Sequence, residues 1–192
     1  MPRKKIIIGI TGTNGAGKGT VVDYLVKGKN FSHFSASGLI RDEIIKRKMP
    51  VNRDNMIIVG NDLRAKNGAG YIAEELIKRA LNNKKNNSII ESIRTLSEID
   101  ILRKKGGILL AVDADQELRY KRIFLRGGEK DRVTFEEFMD QEKREMESGD
   151  PNKQNLLVCI KVADYLIKNE STFEELNKEI EKLLVKIKSN GK

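Results

Sequence analysis

The run Gly12-Thr13-Asn14-Gly15-Ala16-Gly17-Lys18-Gly19-Thr20 has the residue types and spacing to hold a polyphosphate. Glycines let the backbone curl until successive N–H groups point inward at phosphate oxygens. Lys18 adds a point charge for the β- and γ-phosphates, and Gly12, Asn14, Gly15, Ala16, Gly17, Gly19 and Thr20 make up the cradle around it. Lys5-Ile6-Ile7-Ile8-Gly9-Ile10 before the loop reads as a buried strand, and Val21-Val22-Asp23-Tyr24-Leu25-Val26 after it as a helix. That helix turns its positive N-terminal end toward the loop. A glycine-rich turn with no ligand is the plainer alternative. Strand, loop, lysine and helix in this order favour a bound nucleoside triphosphate.

Three later segments carry residues that could complete such a site. Ser35-Ala36-Ser37-Gly38-Leu39-Ile40-Arg41 opens a helix, and the guanidinium fork of Arg41 matches phosphate oxygens. Pairing with Asp42 or Glu43 along the helix is the bland reading of Arg41. Ile89-Ile90-Glu91-Ser92-Ile93-Arg94-Thr95-Leu96 puts an acid at the C-terminal end of a buried strand, where open α/β sheets bind ligand. Glu91 is there a candidate to orient a Mg²⁺-bound water or a substrate hydroxyl, with Thr20 the second candidate near the metal. A simple Glu91–Arg94 pair is the alternative. Arg119, Arg122 and Arg126 recur at spacings of three and four, so they share a helical face on which carboxylates are sparse. Gly127-Gly128 then lets the chain turn toward Asp131-Arg132. A solvated basic helix would look the same.

The elements that must position these residues alternate between apolar runs and helical periodicity. This pattern implies a three-layer α/β fold, a five-stranded parallel sheet with helices on both faces. Strands are predicted at Lys5–Ile10, Phe31–Ser35, Ser88–Ile93, Gly107–Asp113 and Asp164–Lys168. Helices are predicted at Lys18–Lys27, Ser37–Lys48, Arg53–Lys66, Gly70–Asn82, Thr95–Lys104, Asp115–Arg126, Thr134–Glu147, Asn152–Val162 and Thr172–Lys188. Ser37, Asp115, Thr134 and Ser171 are the expected N-caps. A chain of 192 residues without a long linker or repeat suits one domain over 1–192.

Composition narrows the function classes. A net charge of +9 is compatible with nucleic acid, but polyanionic nucleotides also call for cationic pockets. Aromatics are only 5% with no Trp, so the stacking residues of a base-binding surface are scarce and nucleic acid is not the favoured partner. No apolar run approaches a membrane span, and the basic N-terminus leads into a strand without a cleavage-site pattern. The lone Cys159 lies in Leu156-Leu157-Val158-Cys159-Ile160 and reads as a small core residue, so the expected location is the reducing cytoplasm. His33, the only histidine, receives no role.

The loop form Gly-x-x-Gly-x-Gly-Lys-Gly-Thr resembles that of adenylate kinases and related nucleoside monophosphate kinases, with Asn14 where the usual proline stands. The resemblance implies a P-loop NTPase fold of kinase type, a metal held mainly by phosphates and water, acceptor-binding helices over about 37–82 and a short lid at about 126–133. Ser35 and Arg41 match the segment whose Arg holds the acceptor's phosphate. The stretch from Glu91 to Leu96 resembles Asp-Gly-Phe-Pro-Arg-Thr-Leu, one residue shorter, and on that match Arg94 contacts the acceptor phosphate while Glu98 replaces the base-reading Gln. The segment from Arg122 to Arg132 resembles the lid of UMP/CMP-type kinases, which implies that Arg122, Arg126 and Arg132 join Lys18 around the transferring phosphoryl group. Ala163 to Ser171 resembles the Ala-Asp-Tyr-x-Ile-x-Asn segment of dephospho-coenzyme A kinases, which implies that Asn169 and its neighbours lie near the ATP adenine. The same segments are similar to small archaeal-type adenylate-kinase-like ATPases. The implied activity is transfer of the γ-phosphoryl of Mg-ATP to a nucleoside or deoxynucleoside monophosphate. The alternatives are a dephospho-coenzyme A kinase-like enzyme, whose Asp-Ala-Asp stands here as Ser35-Ala36-Ser37, and an ATP switch acting on RNA or ribonucleoprotein. An AAA-type motor is not expected, because the chain is short for a two-part module and Ile90-Glu91-Ser92 lacks the paired Asp-Glu.

Overall fold

The computed structural model describes residues 5–83, 87–128, 133–150 and 153–190. Among them, five strands form one sheet in the order β2-β3-β1-β4-β5, with every neighbouring pair parallel. The central strand is β1 (Ile7–Gly12), flanked by β3 (Ser88–Glu91) and β4 (Ile108–Asp113); β2 (Ser32–Ser35) and β5 (Tyr165–Lys168) form the edges. Every residue of β1 is buried, as a strand covered on both faces must be. Ile8 and Ile10 point to one face and pack with Val21 and Leu25 of α1 (Lys18–Lys29) and Ile180 and Leu183 of α9 (Phe173–Asn190). Ile7 points to the other, where α2 (Ala36–Lys46), α3 (Arg53–Asn67), α4 (Tyr71–Asn82), α5 (Leu96–Lys104) and α8 (Leu156–Lys161) contribute Ile40, Val59, Leu76, Ile99 and Cys159. Helices α6 (Gln116–Arg126) and α7 (Phe135–Met146) meet through Tyr120, Phe135 and Phe138, whose ring centroids lie 5.1 to 6.3 Å apart. This is the expected three-layer α/β architecture. No helix among the described residues is long and apolar enough to cross a membrane.

Several boundaries differ from expectation for local reasons that bear on the site. Strand β1 runs to Gly12 because its ladder with β4 continues to the pairing of Gly12 with Val112, so the strand delivers the first glycine of the loop directly. Strand β3 stops at Glu91 rather than Ile93, because Ser92 adopts a left-handed φ of 73° and the N–H groups of Ser92 and Ile93 both turn back onto the carbonyl of Ile10. Helix α2 is capped by Ser35, whose Oγ accepts from Gly38 N at 3.3 Å, not by Ser37. Thr172 rather than Ser171 caps α9, in a reciprocal pair with Glu175. Helix α8 begins only at Leu156, behind an Asn155 cap; the predicted start, Asn152, lies outside the described residues.

A buried ion pair joins α3 to α5. Arg64 and Glu98 are each 1% exposed, and Arg64 Nε and Nη2 both lie 2.9 Å from Glu98 Oε1. The other oxygen of Glu98 accepts from the N–H groups of Arg94 (2.7 Å) and Thr95 (3.2 Å), closing a capping box at the start of α5. Breaking such a pair leaves a charge buried without its partner. Glu98→Gln is therefore expected to lower stability by roughly 3 kcal/mol in urea unfolding; an unchanged midpoint would contradict this placement of the pair.

Candidate active site

Because all five strands run parallel, their C-terminal ends face one edge of the sheet, and there the loop 12–20 borders a cavity of about 1170 Å³. The loop can form only with glycine at its tight points. Gly12 has φ 136°, and a Cβ on it would lie 1.9 Å from the carbonyl oxygen of Val112. Gly17 has φ 92°, and a Cβ there would lie 2.2 Å from Asn169 Nδ2. Asn169 occupies that space to donate to the carbonyl of Ala16 at 2.8 Å, bracing the loop from beneath. From β4, Asp113 accepts from Thr13 Oγ1 at 2.8 Å. From α6, Arg119 donates from Nε to Ala114 O at 2.8 Å and reaches Asn14 O at 3.4 Å, while it pairs with Glu142 of α7. Arg119 is thus a buried tie between loop and α7, where the sequence reading left it on an unpaired basic face.

Lys18 turns its Nζ back onto the carbonyls of Gly12 (2.9 Å) and Thr13 (2.6 Å). Burial, with the Arg94 cation next, lowers its pKa to about 7, although Glu91 and Glu145 oppose the change. Glu91 pairs with His33, whose Nε2 lies 2.8 Å from Glu91 Oε2. Burial works against the Glu91 carboxylate, but the His33 hydrogen bond and the charges of Lys18 and Arg94 outweigh it and hold its pKa below the ordinary value. Cys159 takes no part: burial pushes its thiol up to about 12, in agreement with a core residue.

Among the residues singled out from the sequence, Asn14, Gly15, Gly17, Lys18, Gly19, Thr20, Glu91, Arg94, Arg122, Arg126 and Asn169 all line the cavity. Gly12 and Ala16 are buried directly beneath it. Three others are placed differently. Arg41 is exposed and lies outside the lining, because it follows Ile40, which takes the inward face of α2. Ser35 is engaged as the α2 cap. Glu98 is buried in its pair with Arg64 and orients the Arg94 backbone instead of facing the cavity. Arg132 lies outside the described residues.

The cavity is also lined by residues that sequence reasoning missed. Arg53 and Arg64 of α3, Glu145 of α7 and Gln154 all line it. Glu145 bridges two cations: one oxygen accepts from Arg53 Nη2 and the other from Arg94 Nη1 at 2.7 Å. Gln154 also accepts from Arg94 Nη1, at 2.9 Å. Burial opposes the Glu145 charge, yet Arg94 and Arg53 together keep its pKa below the ordinary value. One signal was available for Arg64: it shares the buried face of α3 with Val59, Gly60 and Leu63, where a charge needs a reason. Glu145, in the charge-rich run Asp140 to Glu147, carried none.

A phosphate loop between the central strand and α1, on a parallel sheet of this order, defines a P-loop NTPase of kinase-like fold. A family model described as an AAA domain matches residues 8–149. The UPF0200 protein PH1008 of Pyrococcus horikoshii is 31% identical over 191 residues, covering 96% of this chain and 99% of its own. The chain belongs to this family, the UPF0200 proteins within the AAA domain group. Its fold is similar to that of TT1252 from Thermus thermophilus (TM-score 0.59, 20% identity, 96% and 98% of the two chains). It is also similar to that of the shikimate kinase of Aquifex aeolicus (TM-score 0.55, 18% identity, 96% and 98%).

A lysine with a pKa of about 7 in the free protein will be pulled up by phosphate oxygens, so binding of a triphosphate should take up protons above neutrality. At pH 8, calorimetry in buffers of different ionisation enthalpy should show net proton uptake, and affinity should fall as pH rises further. Binding with no proton uptake, or uptake unchanged in Lys18→Met, would contradict this.

Proposed function

We propose that the protein is an ATP-dependent phosphotransferase that moves the γ-phosphoryl of ATP to a small phosphorylated acceptor, with a nucleoside or deoxynucleoside monophosphate leading. The observation that carries this reading is the joining of two sets of anion-binding groups in one cavity. Lys18 and the loop residues share its lining with Arg53 and Arg94, whose charges act on Lys18. A site for hydrolysis alone needs only the first. Arg122 lines the same cavity, and its Nη1 is buried without a hydrogen-bond partner.

In this reading the loop N–H groups and Lys18 hold the triphosphate, and Lys18 exchanges its carbonyl partners for phosphate oxygens. Arg94 receives the acceptor's anionic group, its backbone fixed by Glu98 and its guanidinium aimed by Glu145 and Gln154. Arg122, with Arg126, meets the charge that spreads over the transferring phosphoryl oxygens, where preorganised donors contribute most. Thr20 and Glu91 present hard oxygen donors on the same cavity wall, and these fit Mg²⁺, which uses few protein ligands and keeps water and substrate phosphates. Among the described residues no cluster of three or more His, Cys, Asp or Glu is placed to hold a metal. The fit is therefore to an ion carried mainly by the nucleotide, which when bound neutralises phosphate charge.

The test is ADP production from Mg·ATP with each ribo- and deoxynucleoside monophosphate and dephospho-coenzyme A added singly. Strong stimulation by one acceptor is expected, and it should vanish in Lys18→Ala. Slow hydrolysis indifferent to every acceptor would overturn the reading. With the acceptor in hand, Arg94→Ala should raise its KM about tenfold or more with little effect on the KM for ATP. Arg122→Ala should lower kcat by roughly a hundredfold; an Arg122 variant with normal turnover would remove that residue from the transition state.

A further inference from the structure

Arg64 is 1% exposed, lines the cavity, and leaves its Nη1 without a hydrogen-bond partner. Its other two nitrogens are engaged by Glu98. The second oxygen of Glu98 is taken by backbone N–H groups, so the pair is locked in place and cannot turn to satisfy Nη1. Arg53 Nε, in the same lining, is also buried and unpartnered. A buried donor left unmet is costly, and the Arg64 nitrogen in the cavity lining marks the place of an absent acceptor atom. Charge agrees: Lys18 and the five arginines of this lining outnumber its four carboxylates, Asp23, Glu91, Glu145 and Glu174. The walls nearby are apolar, formed by Ile40, Met56 and Ile57. Gly60 keeps space open beside the orphan nitrogen, since a Cβ there would lie 3.3 Å from Arg64 Nη1 and 3.1 Å from Ile40 Cδ1.

We propose that Arg64, together with Arg53, holds an oxyanion belonging to the acceptor, a phosphate monoester or a carboxylate carried on an apolar or ring-bearing body. Arg64 is then the specificity-determining cation of the acceptor end, in the place first assigned to Arg41. The inference rests on the phosphoryl-transfer reading for the meaning of "acceptor", but the subsite itself is tested by binding alone. Orientation comes from Glu98, which spends two guanidinium nitrogens to aim the third.

The experiment is calorimetric titration of phenyl phosphate and of benzoate into the protein with its phosphate loop saturated by Mg·ADP. Either probe binding the wild type identifies the headgroup. Arg64→Lys keeps the charge but gives its single nitrogen to Glu98, and should weaken that probe about tenfold or more. Gly60→Ala, a change that favours the helix, should weaken it similarly by covering Nη1. Affinity for Mg·ADP should stay within about twofold in both variants, which separates loss of the subsite from loss of the fold. The proposal is overturned if neither probe binds the wild type, if both variants bind it as the wild type does, or if Mg·ADP affinity falls in step. Arg64-dependent binding without phosphoryl transfer to any acceptor would keep the subsite and remove the kinase reading. Transfer that survives both variants unchanged would keep the kinase reading and remove the subsite.

Discussion

Lys18 and five arginines share one cavity lining with only four carboxylates, and this crowding of like charge is the constraint that the surrounding structure has to accommodate. Their proximity follows from a sheet whose strands all run the same way, so that the segments leaving β1 and β3 open on one edge. Lys18 registers the crowding directly: burial and the Arg94 charge bring its pKa to about 7. Glu145 stands between Arg53 and Arg94 as an internal counter-ion, and His33 holds Glu91 at the strand end.

Such a site also needs its loop kept in shape, and the loop is held from three directions. Asn169 supports it from the end of β5, Asp113 from the end of β4, and Arg119 from α6. Ahead of the loop, the left-handed backbone of Ser92 folds the chain after β3 back onto the carbonyl of Ile10 in β1. A rigid cradle of this kind costs little reorganisation when charge moves across it, which is the main help a protein can give to phosphoryl transfer. The ties also reach α7. Arg119 pairs with Glu142 there, and the same helix carries Glu145 into the cavity lining.

The layered sheet and the phosphate loop were legible from residues alone, because short apolar runs bounded by glycine and polar segments have few other solutions in a chain that alternates strand and helix. Which side chains beyond the loop face the cavity was not. Whether Arg41 or Arg64 faces the cavity depends on how α2 and α3 rotate about their own axes when they dock, and that is set by Ile40, Val59 and Leu63 together rather than by any one stretch. Glu98 sat where the resemblance places a base-reading side chain, but the N-terminus of α5 and the buried Arg64 claimed both of its oxygens. Ser35 likewise matched an acceptor-binding position and was consumed as a helix cap. Short polar side chains near helix starts serve the backbone first.

The claim at the centre of this account is that the cavity passes a phosphoryl group between two bound anions rather than to water. The most direct measurement is ³¹P NMR of the fate of the γ-phosphate during turnover of Mg·ATP with a mixture of nucleoside monophosphates. Loss of the γ resonance matched by a new β resonance on an acceptor diphosphate is the result predicted. Appearance of the lost phosphate wholly as inorganic phosphate would contradict it.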